Sequence, residues 1–189
     1  MLDLYHQLIS GDRVLLEALD GVRWGPLTVV FVVLSAWWMK GVAFVAVGAV
    51  GDVRARRQFP LASLIAAVSV GIGSLVVALL KETIDRPRPA HAHPGIDTAV
   101  GTPGSPSFPS GHTATAFAAA AVVGAFYPRL RWPLYALAAL VGVSRIYLGV
   151  HFALDVIAGA LLGVSIGLGI AWAAKKGRRF LVARTATRG

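Results

Sequence analysis

Residues 60–80, PLASLIAAVSVGIGSLVVALL, run for 21 positions without a charge. As a helix rising about 1.5 Å per residue, such a stretch is about 31 Å long, the thickness of a bilayer's hydrocarbon core. A chain that contains it either hides the helix in a large core or crosses a membrane. Composition decides between the two. Of the 189 residues 56% are hydrophobic and 14% charged, too little charge for a soluble surface, where about 25% is usual. Residues 152–174 repeat the pattern, with Asp155 as the one charge inside. Residues 112–127 and 133–150 are shorter apolar runs that end in polar residues. Residues 26–50 suffice for one crossing, broken or tilted around Trp37, Trp38 and Lys40, which prefer the interface. The expectation is all-α: a polytopic membrane helical bundle of about five transmembrane helices, one membrane-embedded domain over 1–189.

The N-terminal stretch 1–24 carries Asp3, Asp12, Glu17 and Asp20 among scattered apolar positions. It shows no basic n-region followed by an apolar core, so no cleavable signal is expected. Leu4, Leu8, Leu15, Leu16 and Leu19 at helical spacing predict an amphipathic segment lying on the membrane surface. The absence of cysteine excludes a disulfide scaffold, thiolate catalysis and cysteine metal sites.

The net charge of +9 is explained by placement. Arg54, Arg56 and Arg57, then Arg129 and Arg131, then Lys175, Lys176, Arg178, Arg179, Arg184 and Arg188 make 11 of the 18 basic residues. With five crossings these three segments share one side, which the positive-inside rule makes cytoplasmic. The N-terminus and the loop 82–111 then face outward, in a multi-pass protein of the inner (plasma) membrane. The basic excess is topogenic, and nucleic acid is not an expected partner.

The remaining polar residues converge. Lys81 and Arg88 stand where the second span ends, Pro109-Ser110-Gly111-His112 where the third begins, and Ser144-Arg145 near the end of the fourth. His151 and Asp155 open the fifth after a turn at Gly149. The chain crosses twice between His112 and His151, so all these groups return to one outer face. An unpaired guanidinium in an apolar run costs several kcal/mol, so Arg145 needs an anionic partner. Lysine and two arginines suit an anion with three terminal oxygens, and Ser110-Gly111 at a helix start adds backbone donors. His151 and Asp155, spaced i, i+4, share a helix face. The carboxylate can hold one imidazole nitrogen and leave the other as a nucleophile, with His112 as general acid. This is chemistry suited to phosphoryl transfer. Two other classes stay open: a lipid or anion transporter with buried Arg and His along its pathway, and a non-catalytic lipid binder. Clustering at one face favours the enzyme, and a mere binder has no need of His151 paired with Asp155.

Lys81 followed by six residues and Arg88-Pro89, then Pro109-Ser110-Gly111-His112, then Ser144-Arg145 with His151 and Asp155, resembles the three-part motif of the type 2 phosphatidic acid phosphatase superfamily. Soluble bacterial acid phosphatases and vanadium haloperoxidases also belong to it. The motif core is 81–155, about 40% of the chain. The resemblance implies an all-helical phosphatase domain and a phosphohistidine on His151. It also implies protonation of the leaving group by His112, orientation of His151 by Asp155, and phosphate binding by Lys81, Arg88, Ser110, Gly111 and Arg145. It implies no metal and no cofactor. The short hydrophobic chain is similar to the bacterial membrane branch, with one N-terminal span fewer than six-span members. The expected substrate is a membrane lipid phosphate or diphosphate, with a polyprenyl diphosphate such as undecaprenyl diphosphate first and phosphatidylglycerophosphate or phosphatidate second.

Weaker features read as structural. His91 and His93 in a Pro-rich loop are expected to be solvated, and Asp85 and Asp97 exposed. Arg86 is a candidate supplement to the phosphate cage. Gly159, Gly163 and Gly167 predict a close helix-packing seam. The Trp and Tyr residues are expected to be interface anchors.

Overall fold

A computed structural model of the chain describes Asp12, Val14, residues 16–19, Gly21, and residues 23–56, 59–93 and 95–186; of residues 179–186 it describes the backbone alone. The described elements are helical, with no strand among them. They are α1 (Gly25–Leu34), a 3₁₀ turn (Trp37–Lys40), α2 (Val42–Arg54), α3 (Leu61–Ile84), a short turn (Pro89–Ala92), α4 (Gly111–Phe126), a 3₁₀ turn (Pro128–Leu130), α5 (Arg131–Tyr147) and α6 (Ala153–Ala186). Two stretches are long and apolar enough to cross a membrane, Leu61–Ala92 and Ala153–Arg178, and α1 and α4 are shorter apolar helices.

The bundle is built with small residues inside and large ones outside. On α3 the buried face holds Ala62, Ala66, Ser69, Gly73 and Val77, while Leu64, Val68, Ile72, Leu75 and Leu79 point outward. Their 3–4 residue spacing makes one apolar stripe. Ile157, Leu161, Leu168 and Trp172 do the same on α6. Water would not tolerate this much aligned apolar surface, whereas lipid tails are as apolar as leucine itself.

Helix α4 is the axis of the molecule. Ala114, Ala116 and Ala118–Ala121 are fully buried, because neighbours press on it from every side. The expected glycine seam is present, and its partner is α4. A Cβ placed on Gly159 would meet the Ser110 carbonyl at 2.7 Å, and on Gly163 and Gly167 it would overlap the carbonyls of Ala114 and Ala118. Each step of four on α6 matches a step of four on α4, so the two run in the same direction. α5 runs the other way, with Gly142 against Thr113 and Gly124 against Arg131.

The stretch 26–50 does not form one helix. Gly41, at φ +129°, allows a sharp reorientation between the 3₁₀ turn and α2. α2 alone descends beside α3 and α4: Gly41 lies against Val70 and the Thr115 carbonyl, and Gly48 against Val123 and Ser63. α1 stays with the end of α5, where the Trp24 N–H donates to Tyr147 Oη at 3.0 Å. Phe31 packs on the Tyr147 ring with centroids 4.6 Å apart. Tyr147 is 3% exposed, an internal strut and not an interface anchor.

The amphipathic reading of 1–24 is modified. Leu4, Leu8 and Leu15 lie outside the described residues. Leu16 is helical but buried against Ile96 and Phe152, so this apolar position covers the protein's own loops and not the bilayer. At the opposite end of the bundle Asp52 is 2% exposed. It accepts from the backbone N–H groups of Ala62 and Ser63 (3.3 and 3.0 Å) and from Tyr127 Oη (2.6 Å). A carboxylate here satisfies free N–H groups in the first turn of α3 and is stabilised by the positive end of the helix.

Candidate active site

The parallel pairing of α4 and α6 brings their N-terminal ends together. The Ser110 N–H donates to the Asp155 carbonyl at 3.0 Å, tying the start of α4 to the first turn of α6. Ser110 occupies the cap position of α4; its hydroxyl accepts from Thr113 Oγ1 at 2.9 Å and makes no capping bond to a backbone N–H of the turn. The first-turn N–H groups of Gly111 and His112 therefore remain available to an anion at the positive end of a 16-residue helix.

His151 is 2% exposed, in the link between α5 and α6. Its Nδ1 lies 3.3 Å from Asp155 Oδ2, and its Nε2 lies 3.4 Å from Arg88 Nη1. A guanidinium can only donate, so Nε2 presents its lone pair there and Nδ1 carries the proton toward Asp155. Burial pushes the His151 pKa down to about 4, with the Asp155 hydrogen bond acting in the opposite direction. The ring is neutral at pH 7, the form a nucleophile requires.

Arg88 is locked by loop carbonyls. Its Nε donates to Ser105 O and its Nη1 to Val150 O, both at 2.7 Å, and its Nη2 donates to Ser105 Oγ at 3.1 Å. Lys81 Nζ donates to the Pro106 carbonyl. Ser105 and Pro106 thus fix two cations, of which Arg88 touches His151. Arg145 enters from α5, where its Nη1 donates to Ser35 Oγ and its buried Nε has no hydrogen-bond partner among the described residues. That donor is free for an anion. His112, at the first turn of α4, hydrogen-bonds the Ser35 backbone and lies within electrostatic reach of Arg145, Lys40 and His151.

The structure therefore gathers Lys81, Arg88, Ser110, Gly111, His112, Arg145, His151 and Asp155 at one end of the bundle. Ser144 turns away, bonding Val141 O on its own helix at 2.6 Å. Ser107 was missed from sequence. Its hydroxyl donates to Asp155 Oδ2 and lies 3.4 Å from His151 Nδ1. Ser35 was missed too, because no spacing rule links α1 to α5. Arg86 pairs with Asp155 and Asp12. Asp85 caps α3 in the left-handed conformation at φ +44°, and the Asp97 carbonyl accepts from Arg23 at 2.7 Å. His93 stands edge-on to Phe152 at 6.0 Å.

A helical bundle with this arrangement at the mouth of two parallel helices defines a class, and comparison with known proteins agrees. The family model of the PAP2 superfamily matches residues 62–179; the chain belongs to that family. The bacitracin transport permease protein BcrC of Bacillus licheniformis is 47% identical over 70 residues, 37% of this chain and 34% of that protein. The undecaprenyl-diphosphatase BcrC of Bacillus subtilis is 29% identical over 139 residues, 73% of this chain and 69% of that protein. The chain thus spans about a third of the first and about two thirds of the second. The crystal structure of the transmembrane PAP2 type phosphatidylglycerolphosphate phosphatase from Bacillus subtilis superposes with a TM-score of 0.75 at 27% identity, covering 90% of this chain and 87% of that one.

Proposed function

We propose that the protein is a metal-independent membrane phosphatase that hydrolyses a lipid phosphomonoester or diphosphate through a phosphohistidine on His151. The observation that carries this reading is the His151 ring, held at Nδ1 by Asp155 with Nε2 turned toward Arg88. In the first step Nε2 attacks phosphorus, the bond from phosphorus to the leaving oxygen breaks, and His112 gives that oxygen its proton. In the second, water attacks the phosphohistidine, its proton passes to His112, and phosphate leaves with Nε2 restored. Lys81, Arg88, Arg145, the Ser110 hydroxyl and the N–H groups of Gly111 and His112 bind the phosphoryl oxygens throughout. No cluster of three His, Asp or Glu side chains suited to a metal ion occurs among the described residues.

In this reading α2, α3, α4, α5 and α6 cross the inner membrane, with the site at the extracytoplasmic side and Arg54, Arg129, Arg131 and Lys175 on the cytoplasmic side. The first-choice substrate is a polyprenyl diphosphate such as undecaprenyl diphosphate, in line with the name of the B. subtilis relative. Phosphatidylglycerophosphate or phosphatidate is second, in line with the structural neighbour. The name of the B. licheniformis relative supports a transporter as the rival class. One assay separates them: purified protein in liposomes, given each lipid phosphate in turn. Released inorganic phosphate that survives EDTA is the expected result. Movement of intact lipid phosphate across the bilayer with no phosphate released overturns the reading.

A further inference from the structure

Asp155 has more partners than His151 alone. Its Oδ2 accepts from the Phe152 N–H at 2.9 Å, from Ser107 Oγ and, at 3.3 Å, from His151 Nδ1. Its Oδ1 is taken by Arg86 Nη1 at 2.6 Å. Arg86 is itself held from two further sides. Its Nη2 donates to Asp12 Oδ2 at 2.9 Å, and its guanidinium carbon lies 4.1 Å from the centroid of the Phe152 ring. Asp12 is 4% exposed, and its other oxygen accepts from the Leu154 N–H at 3.1 Å, one of the first-turn donors of α6 that have no acceptor within the helix.

These contacts form a chain from the N-terminal segment to the reacting imidazole: Asp12 to Arg86, Arg86 to Asp155, Asp155 to His151. Both terminal nitrogens of Arg86 are engaged by carboxylates, so its charge is already matched; among the described residues the bonds of Arg88 and Arg145 go to neutral groups and leave their charge for an anion. The effect of Arg86 is on geometry. Rotation about the last torsion of Asp155 moves both oxygens together, so the Arg86 bond to Oδ1 adds a restraint on the far side of the carboxylate that helps keep Oδ2 in line with Nδ1. We propose that Arg86 is a positioning residue for the reaction and that Asp12 holds it in place, making the N-terminal segment a working part of the site. The proposal rests on the reading of His151 as nucleophile.

The test uses the purified protein in detergent with a lipid phosphate substrate, inorganic phosphate as a competitive probe of the phosphate site, and thermal unfolding measured alongside. Arg86→Gln is expected to lower kcat about tenfold or more, as loss of a partner that orients a working histidine does elsewhere. KM and the phosphate inhibition constant should stay within about twofold, the signature of an interaction that does not bind the ground state. Arg86→Lys, which keeps the charge and one donor, should recover part of kcat. Asp12→Asn should lower kcat by less, and adding it to Arg86→Gln should cost nothing further, since the two act in series. A raised phosphate constant with kcat preserved would make Arg86 a phosphate ligand and overturn the proposal. So would an unchanged kcat, or equal losses in the Gln and Lys variants that follow Tm. His151→Ala serves as the reference: if that variant keeps its turnover, the phosphohistidine reading itself falls, an outcome distinct from any at Arg86.

Discussion

His112 and His151 sit on different elements with different neighbours, and their proposed roles separate in an experiment. Replacing either is expected to remove most turnover, with general acid help typically worth about 10²–10⁴-fold. A substrate whose leaving group needs no proton should rescue His112→Ala in part and leave His151→Ala inactive; equal rescue of both would reverse the assignment. Acidity gives a second handle. His151 is depressed to about 4 by burial, so it is neutral, and competent, at every pH above that value. We expect kcat/KM, once the substrate's own ionisation near pH 6 is divided out, to hold level down to about pH 5 and fall below it. An acid limb near the ordinary histidine value of about 6.5 would show that His151 is not so shielded. Positions that follow from spacing were legible beforehand: His151 and Asp155 one turn apart, Ser110-Gly111 at a helix start, Lys81 and Arg88 at the mouth of an apolar helix. Ser35, Ser107, Arg86 and Asp12 were not, since each acts on a partner 44 or more positions away that no local pattern announces.

At the scale of elements, the contact of α4 with α6 sets the tolerance for change. Gly163→Leu drives a side chain into the Ala114 carbonyl and should cost the overpacking penalty of about 1–3 kcal/mol or more. Gly169→Leu, on the same helix with nothing within 4 Å of its Cβ position, should leave Tm unchanged or slightly raised, since glycine is poor in a helix interior. Thermal unfolding of the pair in detergent checks this; equal destabilisation would mean that the two helices do not pack as described. Asp52→Asn removes the charge that caps α3 and weakens the bond from Tyr127. It should lower stability by about 0.5–2 kcal/mol and leave kcat/KM alone, because Asp52 lies at the opposite end of the bundle. The glycine seam was readable from its four-residue period. The division of 26–50 into α1 and α2 was readable only as a disturbance at Trp37, Trp38 and Lys40. Its position depends on Val70 and Thr115, which shape the space around Gly41 from other helices.

For the whole molecule the question is which end faces out. The chain has no cysteine, so a single introduced thiol reports without background. Gly101→Cys, in the loop beside the site, should react with an impermeant maleimide in intact cells, and Gly177→Cys, near the end of α6, should not. The reverse pattern overturns the orientation. The apolar outer faces of α3 and α6 add an expectation about substrate: in liposomes a long-chain lipid phosphate should far exceed its water-soluble short-chain analogue in kcat/KM. Its tail already lies in the bilayer, so the phosphate arrives concentrated and oriented. Equal efficiency for the two would mean that the site takes its substrate from bulk water.

The matched steps of α4 and α6 have one more consequence. Ser110 meets Gly159, Ala114 meets Gly163 and Ala118 meets Gly167, a constant offset of 49 positions (159 − 110, 163 − 114, 167 − 118). Such a seam seats only at whole-turn steps, and the Ser110 N–H bond to the Asp155 carbonyl selects this one: a slip by one step would shift α6 along α4 by a full helical turn, about 5.4 Å. That slip would carry Asp155 and His151 away from His112 by more than a proton transfer can bridge. The separation of acid and nucleophile is therefore gauged by glycines buried along the shafts of two helices, at a depth no substrate visits.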